Sequence, residues 1–535
     1  MKSHIWNFKS EISNLKSQIS NFKSQICLPL SSFIFPPPSL LSAMTPSFSS
    51  RRPFFGLLGP AVALCALSGL SGCNVGPNPK GVSAQRGGLD GESGWTSDAG
   101  AAGLKTSPAN VSKWWATLGD PQLDSLIARA VGNNKDLALA KLRLAEARAL
   151  RGVVTSDGLP QVDAKGSYSR LRDSEEIVQR SGNQTESGRD SWSAGFDATW
   201  ELDIFGRVRR NVQAADADID AQVENVRDVL VSLTADVGRA YVELRSSQER
   251  LAIVNRNIVL QADAVSLAQA RFDAGLTSEL DVAQAQTLLA STKASIPPFE
   301  ASVAASIHRI GVLLGLDPGA LKAELAEIKP VPLAGTGVAA LRAAPIGKSA
   351  EMLMRRPDLR AAERRIASAT ARIGVATADL YPRITLLGSF AFTADDFTNT
   401  FDMNARQWSI GPSVRWNIFD GGRIRANIST LEVREQQQLV NYERTVLSAL
   451  EEAETAIVSY AKSQQRRDRV ATALEFSRRT VELSDIQYKA GRVGFLNVIE
   501  SQRALLAIED NLAEADRTVT TDLIRVYKAV GGGWE

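Results

Sequence analysis

From Ser191 to Asp203 the chain alternates without a fault. Trp192, Ala194, Phe196, Ala198, Trp200 and Leu202 take the even positions, and Ser193, Gly195, Asp197, Thr199, Glu201 and Asp203 the odd ones. A period of two predicts a strand with one dry and one wet face. A second stretch repeats the pattern: Trp408, Ile410, Val414, Trp416 and Ile418 lie opposite Ser409, Ser413, Arg415 and Asn417. Ile384, Leu386, Phe390 and Phe392 mark its partner strand, and Val162 to Tyr168 alternates more weakly as a fourth. Polar loops such as RDSEEIVQRSGNQTESGRD join the members of each pair, so the pattern predicts two β-hairpins.

Between the hairpins the period changes. From Gly206 to Gly275 there is no proline and one interior glycine, Gly238, which predicts a single helix of about 100 Å at 1.5 Å per residue. Val223, Leu230, Val237, Leu244, Leu251, Ile258, Val265 and Phe272 share one heptad position. Ile219, Val226, Leu233, Ala240 and Val254 share the other, with Ser247 and Gln261 as polar breaks. Such a seam packs on neighbouring helices as a coiled coil, and its length disfavours an ordinary core helix. Pro297 and Pro298 fall inside a later helical pattern, which they should break or kink.

The design occurs twice. DLALAKLRLAEARALRGVVTSDGLPQ from Asp136 aligns without a gap on DLRAAERRIASATARIGVATADLYPR from Asp358. Trp192, Ser193, Gly195, Trp200, Gly206, Arg207 and Arg209 face Trp408, Ser409, Gly411, Trp416, Gly422, Arg423 and Arg425. RFDAGLTSELDVAQAQ from Arg271 pairs with QYKAGRVGFLNVIESQ from Gln487, so that Gly275 meets Gly491 and Leu280 meets Leu496. The chain is a tandem duplication of helix, hairpin, long helix, turn and helix. Residues 111–330 are expected to form the first repeat, with its hairpin at about 160–205. Residues 331–350 link it to the second at 351–535, whose hairpin falls at about 382–420.

Charge adds an exclusion. Lys and Arg number 61 against 59 Asp and Glu, and the two signs are interspersed, so there is no basic stripe for nucleic acid. The amino terminus adds a location. From Trp6 the heptapeptides WNFKSEI, SNLKSQI and SNFKSQI mimic a coiled coil through Phe8, Ile12, Leu15, Ile19, Phe22 and Ile26. A simpler source is the translation of a tandem AAATCTC repeat, which makes residues 1–43 a spurious or disordered leader and Met44 the start. Residues 44–72 then read as a lipoprotein signal peptide. Arg51 and Arg52 precede an apolar run from Phe54 to Leu70, which is too short and too interrupted by glycine for a comfortable transmembrane helix. Leu70-Ser71-Gly72-Cys73 resembles a lipobox, so Cys73 is the expected lipidation site, and Asn74 after it permits outer-membrane sorting. With Cys27 and Cys65 removed, no disulfide or cysteine metal site is left. Residues 73–110, rich in Gly, Ser, Pro and Ala, predict a flexible or extended tether.

Four strands cannot close a barrel, and an open edge in lipid leaves N–H and C=O groups without partners. If the dry face meets lipid, other copies must complete the sheet. Three chains give about a dozen strands, whereas two give only the minimum. Trp192, Trp200, Trp408 and Trp416 suit aromatic girdles. A soluble sheet on a core fits the strands equally well, and it is the signal, the lipobox and the long helix that favour the membrane.

Four longer motifs carry a resemblance: WWATLGDPQLDSLI at Trp114, RRPDLRAAERRIASATARIGVATADLYP at Arg355, WNIFDGGR at Trp416 and YKAVGGGW at Tyr527. Over nearly the whole mature chain it resembles the TolC-like outer-membrane factors, specifically the NodT-type lipoprotein channels of tripartite efflux pumps. The resemblance implies a mainly α fold with transmembrane β: a homotrimeric β-barrel in the outer membrane, continued by a periplasmic α-helical barrel. It also implies outer-membrane lipid, a periplasmic adaptor and a proton-driven inner-membrane pump as partners, with passive conduction of small molecules as the function. A duct for type I protein secretion is the alternative within the family, and a non-channel coiled-coil envelope lipoprotein the alternative outside it.

No enzyme activity or cofactor is expected, since no nucleophile motif or Gly-rich phosphate loop is present. His308, in VAASIHRIGVLLG, suits a structural or solvent-edge place. Met352, Met354 and Met403 form no stripe of soft ligands for a metal. By motif match, the family's periplasmic gate falls on Tyr488, Leu496 and Glu500, with Gln487 where relatives can carry a basic residue. Gln487 offers no charge-assisted latch, and a ring of Glu500 side chains would favour cations. The resemblance places adaptor docking at the turns Arg271–Asp281 and Gln487–Asn497, which include Leu280, and Gly275 and Gly491 suit tight reversals there. Pro297 and Pro298 would fall in the family's mid-tunnel belt.

Overall fold

The computed structural model describes residues 73–79, 95, 111–172, 189–332 and 349–534. The expected leader and signal peptide, most of the tether and most of the linker lie outside these residues. Helix α1 (Pro121–Asn133) starts where the Asp120 carboxylate accepts the Gln122 N–H, with Pro121 at the first helical position. Helix α2 (Lys135–Ser156) starts where Asn134 accepts the Leu137 N–H. Strands β1 (Gln161–Leu171) and β2 (Arg189–Leu202) follow, then the long helix α3 (Arg207–Asp273), α4 (Glu279–Lys293) and α5 (Ile296–Leu313). After α6 (Ser349–Arg355) the second repeat supplies α7 (Pro357–Ala378), β3 (Arg383–Ala394), β4 (Arg406–Arg415), α8 (Arg423–Lys489) and α9 (Phe495–Ala529).

The duplication holds in detail. Helices α2 and α7 each have 22 residues, and α3 and α8 each have 67. Both long helices spring from a glycine in the left-handed region, Gly206 (φ 83°) and Gly422 (φ 88°), which other residues adopt only with strain. At the second start the Asp420 carboxylate accepts the N–H groups of Gly422 and Ile424. The bond from Ile424, chiefly, holds its pKa below the usual carboxylate value. As Pro297 and Pro298 predict, the first repeat breaks after Lys293. Helix α5 begins at Ile296 and the prolines take its first turn, where a missing N–H costs nothing. Helix α9 runs unbroken through the equivalent positions.

The seam of α3 departs from the heptad reading towards its C-terminal end. Ser247 and Gln261, expected as breaks, are buried together with Val254, Asn257 and Ala268. Leu251, Ile258 and Val265 are only half-buried, and Phe272 is exposed. One heptad position, Ser247, Val254, Gln261 and Ala268, nevertheless stays buried, so the seam narrows there from two positions to one.

The principal core lies at one level of the helices. Trp114 stacks on Tyr527 with centroids 5.7 Å apart, amid Leu118, Leu123, Val237, Tyr241, Leu244, Leu523 and Ile524. Gly238, the one glycine inside α3, faces this core. A Cβ there would lie 2.9 Å from Trp114 Cη2 and 3.3 Å from Ile524 Cδ1, which explains a residue costing about 1 kcal/mol of helix propensity. His308 is exposed on α5.

The four strands form one antiparallel sheet in the order β1-β2-β3-β4. The two hairpins join through β2 and β3, with Trp200 opposite Leu386 and Phe196 opposite Phe390. Strand β4 ends at Arg415, the partner of the first residue of β3, Arg383. Trp416 and Ile418, expected in the strand, therefore lie beyond it, because the ladder offers no further partner. Among the described residues no helix is long and apolar enough to cross a membrane.

Candidate functional site: sheet faces, strap and helical tips

The alternation makes the sheet two-faced. On the dry face Tyr168 and Trp192 pack at 4.4 Å and Phe390 and Phe392 at 5.3 Å. Phe196, Trp408, Ile410 and Val414 stay more than half exposed there. On the wet face polar pairs lace neighbouring strands: Lys165 with Asp197, Ser193 with Thr393 and Ser389 with Ser409. A contiguous exposed apolar sheet backed by a polar face is a surface that separates lipid from water. At its base the two repeats place matching tryptophans. Trp200 donates its indole N–H to Gly158 O at 2.9 Å and Trp416 donates to Leu380 O at 3.0 Å, tying strand ends to the helices that precede each hairpin.

Of the flexible or extended tether expected for residues 73–110, residues 73–79 lie docked on the fold. Val75 donates its N–H to Phe205 O. The guanidinium of Arg210, 0% exposed, donates to Val75 O (3.0 Å), Gly76 O (3.1 Å), Asn78 Oδ1 (2.9 Å) and Gln213 Oε1 (2.8 Å). No carboxylate is among these partners, and burial followed by the neighbouring Arg209 pushes its pKa down. The strap sits against backbone: a Cβ on Gly76 would lie 2.5 Å from Gly374 Cα, and a Cβ on Gly374 2.8 Å from Arg210 Cδ. Cys73, exposed, is thus held near the start of α3, where Arg209 Nη2 lies 3.5 Å from its carbonyl oxygen. Sequence reasoning missed Arg210. The available signal was a break in the repeat, where arginine faces Ala426 inside an otherwise matching run.

At the far ends of the long helices both turns close in the same way. Gly275 donates to Phe272 O and Leu276 to Arg271 O, while Gly491 donates to Tyr488 O and Arg492 to Gln487 O. This is the double closure that a left-handed glycine permits, at φ 71° and 70°. A small core of Ala268, Val282, Leu288, Tyr488, Phe495 and Val498 packs the two tips together.

Of the gate candidates, Tyr488 is 3% exposed and turned into this core, so its side chain lines no opening. Leu496 is 56% exposed, and Gln487 and Glu500 are exposed. Glu500 pairs with Arg503 at 2.8 Å, a partner the sequence reading had not considered, which reduces its charge as a lone ring. Of the docking candidates, Leu280 is exposed, Asp281 bonds Thr277, and Asn497 bonds Gly494 O through its backbone N–H. Arg271 does something unforeseen. It donates to Tyr488 O at 3.2 Å, and its guanidinium lies 4.7 Å from the Tyr488 ring centre. A basic residue of the first repeat thereby ties the second.

Known proteins share this architecture. The profile of the family described as "Outer membrane efflux protein" matches residues 126–316 and 349–532. Nodulation protein T of Rhizobium leguminosarum bv. trifolii is 31% identical over 90% of this chain and 97% of its own. The solvent efflux pump outer membrane protein SrpC of Pseudomonas putida is 27% identical over 78% of this chain and 86% of its own. The solved structure of the outer-membrane channel OprN superposes with a TM-score of 0.78 at 35% identity, covering 86% of this chain and all of that one. The two-faced sheet, the paired 67-residue helices and these likenesses agree: the chain belongs to the outer membrane efflux protein family, the exit channels of the outer membrane.

Proposed function

We propose that three copies of this chain assemble into one duct, with β4 of each copy pairing with β1 of the next to close a barrel of about twelve strands. The observation that carries this is a sheet with an exposed apolar face and two unpaired edge strands, continuous with helices of 67 residues. Lipid tolerates no such edge. Cys73, expected to be lipidated, anchors the assembly at the sheet base through the strap. The repeats span 111–330 and 351–535, with 44–72 as the signal peptide that is removed.

The duct is passive and catalyses nothing. A proton-driven inner-membrane pump supplies the energy, and an adaptor docks on the tips at residues 271–281 and 487–497, where Leu276, Leu280 and Leu496 are exposed. Small apolar or amphipathic compounds are the favoured cargo, because a relative in Pseudomonas putida is named for solvent efflux. Leu496 and Glu500 crowd the closed end, braced from behind by Arg271 and Tyr488. Single-channel recording in planar bilayers tests this. Leu496→Ala and Glu500→Ala should enlarge a small, cation-preferring wild-type conductance. Silence from verified, membrane-inserted trimers of all three proteins would refute the duct.

A further inference from the structure

The wet face of the sheet carries an unexplained concentration of positive charge at its base. Arg383 and Arg415 are direct cross-strand partners, an arrangement of like charges that destabilises a sheet unless something offsets it. Together with Arg423, at the start of α8, they line a recess of about 520 Å³. Two acids also line it, Glu201 and Asp379, but both are engaged. Glu201 is held by Arg207 through two bonds of 2.8 Å, and Asp379 pairs with Arg383. The nearby Asp420 carboxylate is taken by backbone N–H groups of its own turn. The guanidinium groups of Arg415 and Arg423 are exposed and make no hydrogen bond or ion pair among the described residues, although Arg423 is near enough for its charge to help hold the Asp420 pKa down.

We propose that this recess is a binding station for a multivalent oxyanion, of carboxylate or phosphate chemistry, on the inner wall of the duct. The proposal rests on the reading of the wet face as that wall. Two guanidinium groups without a hydrogen-bond partner among the described residues, beside the Asn417 amide, suit such an oxyanion, because the planar fork of arginine matches its geometry. An anion there would offset the Arg383–Arg415 repulsion. Anionic cargo, or cargo with an anionic group, would pause at the base of the barrel before leaving.

The test uses the full trimer and inorganic pyrophosphate as probe. Binding to the detergent-solubilised protein is measured by calorimetry, and block of the current in bilayers by titration, for wild type and for Arg415→Gln/Arg423→Gln. Both side chains are exposed, so the variant should fold, and its heat-induced unfolding is recorded alongside. Wild type should bind, and the variant should need about tenfold more pyrophosphate for the same occupancy and the same block. Equal affinity in the two proteins overturns the proposal. So does a wild type that binds nothing, which would mean that an acidic side chain of the adjoining copy fills the recess. Binding that is lost in the variant, in a protein that conducts no current, supports the recess and refutes the duct.

Discussion

The strap can be tested with two glycines. Gly76 (φ 86°) and Gly275 (φ 71°) both occupy the left-handed region, so alanine at either position costs about 1–2 kcal/mol of backbone strain. They differ in their surroundings. A Cβ on Gly275 meets nothing within 4 Å, whereas a Cβ on Gly76 lies 2.5 Å from Gly374 Cα. Carbon atoms rest at about 3.5–4.0 Å, so residue 76 must retreat by about 1 Å. Gly374 cannot yield, being wedged against Arg210 on its own free side. That retreat carries the carbonyls of Val75 and Gly76, now 3.0 and 3.1 Å from the guanidinium, beyond hydrogen-bond range.

Bonds to a charged group are worth about 1.5–3 kcal/mol each. Allowing for water that reaches the guanidinium once the strap has withdrawn, Gly76→Ala should cost about 2–4 kcal/mol beyond the strain. Hydrogen exchange of the Val75 amide, bonded to Phe205 O in the native strap, reads the detachment. Its protection should fall by about 30- to 1000-fold in Gly76→Ala, since 1.4 kcal/mol is a factor of ten. In Gly275→Ala it should not change, with only the tip amides loosening. Val75 protection within threefold of wild type in Gly76→Ala would falsify the idea that a built socket holds the strap.

Three further outcomes follow from the same geometry. Trp200→Phe and Trp416→Phe each remove one indole hydrogen bond, worth about 0.5–1.5 kcal/mol, and should lower the thermal midpoint in detergent by similar amounts; a loss in one repeat alone would contradict their equivalence. The Tyr488 hydroxyl is buried without a partner among the described residues, so Tyr488→Phe should be neutral or stabilising by up to about 1 kcal/mol. A clear destabilisation would reveal a partner supplied by assembly. Asp228 has its pKa raised from 3.8, first by burial and then by Asp358. An acid whose folded pKa is raised weakens the fold progressively as pH climbs from its unfolded value through the folded one. Asp228→Asn should therefore stabilise at neutral pH and make no difference below about pH 3.5; a gain that does not vary with pH would assign the effect to packing instead.

The parts of this molecule that were legible in the sequence are those encoded by local period. Trp192 to Leu202 announced a strand because every second side chain had to agree about its surroundings, and Gly206 to Gly275 announced a helix because nothing interrupted it. Long-range complementarity left no such trace. Composition makes residues 74–79 look like linker, yet their fate is decided by Arg210, 132 to 135 positions later. Arg271 meets Tyr488 across 217 residues, joining two repeats whose alignment pairs Arg271 with Gln487 instead. Within α3 the heptad of Leu233, Ser247, Val254 and Gln261 stays on the contact line, whereas the more apolar heptad of Leu251, Ile258, Val265 and Phe272 leaves it, so hydrophobicity alone did not mark which position faces the neighbours. The matching repeats were informative in their agreements, and Arg210 against Ala426 indicates that their disagreements deserved equal weight.

The equal length of the long helices constrains how such a protein can change. Helices α3 and α8 match at 67 residues, and residues 279–313 of the first repeat occupy the same 35 positions as α9. Inserting one residue in either arm would advance its tip by about 1.5 Å and turn everything beyond it by about 100°. The turns would then no longer lie level, and the small core shared by Tyr488, Phe495 and Val282 would come apart. The hairpins carry no such restriction. From Trp192 back to Pro160 the first repeat spends six more residues than the second does from Trp408 back to Pro382. Length has thus been edited between the two strands of a hairpin, while along the arms change is limited to exchanging one side chain for another.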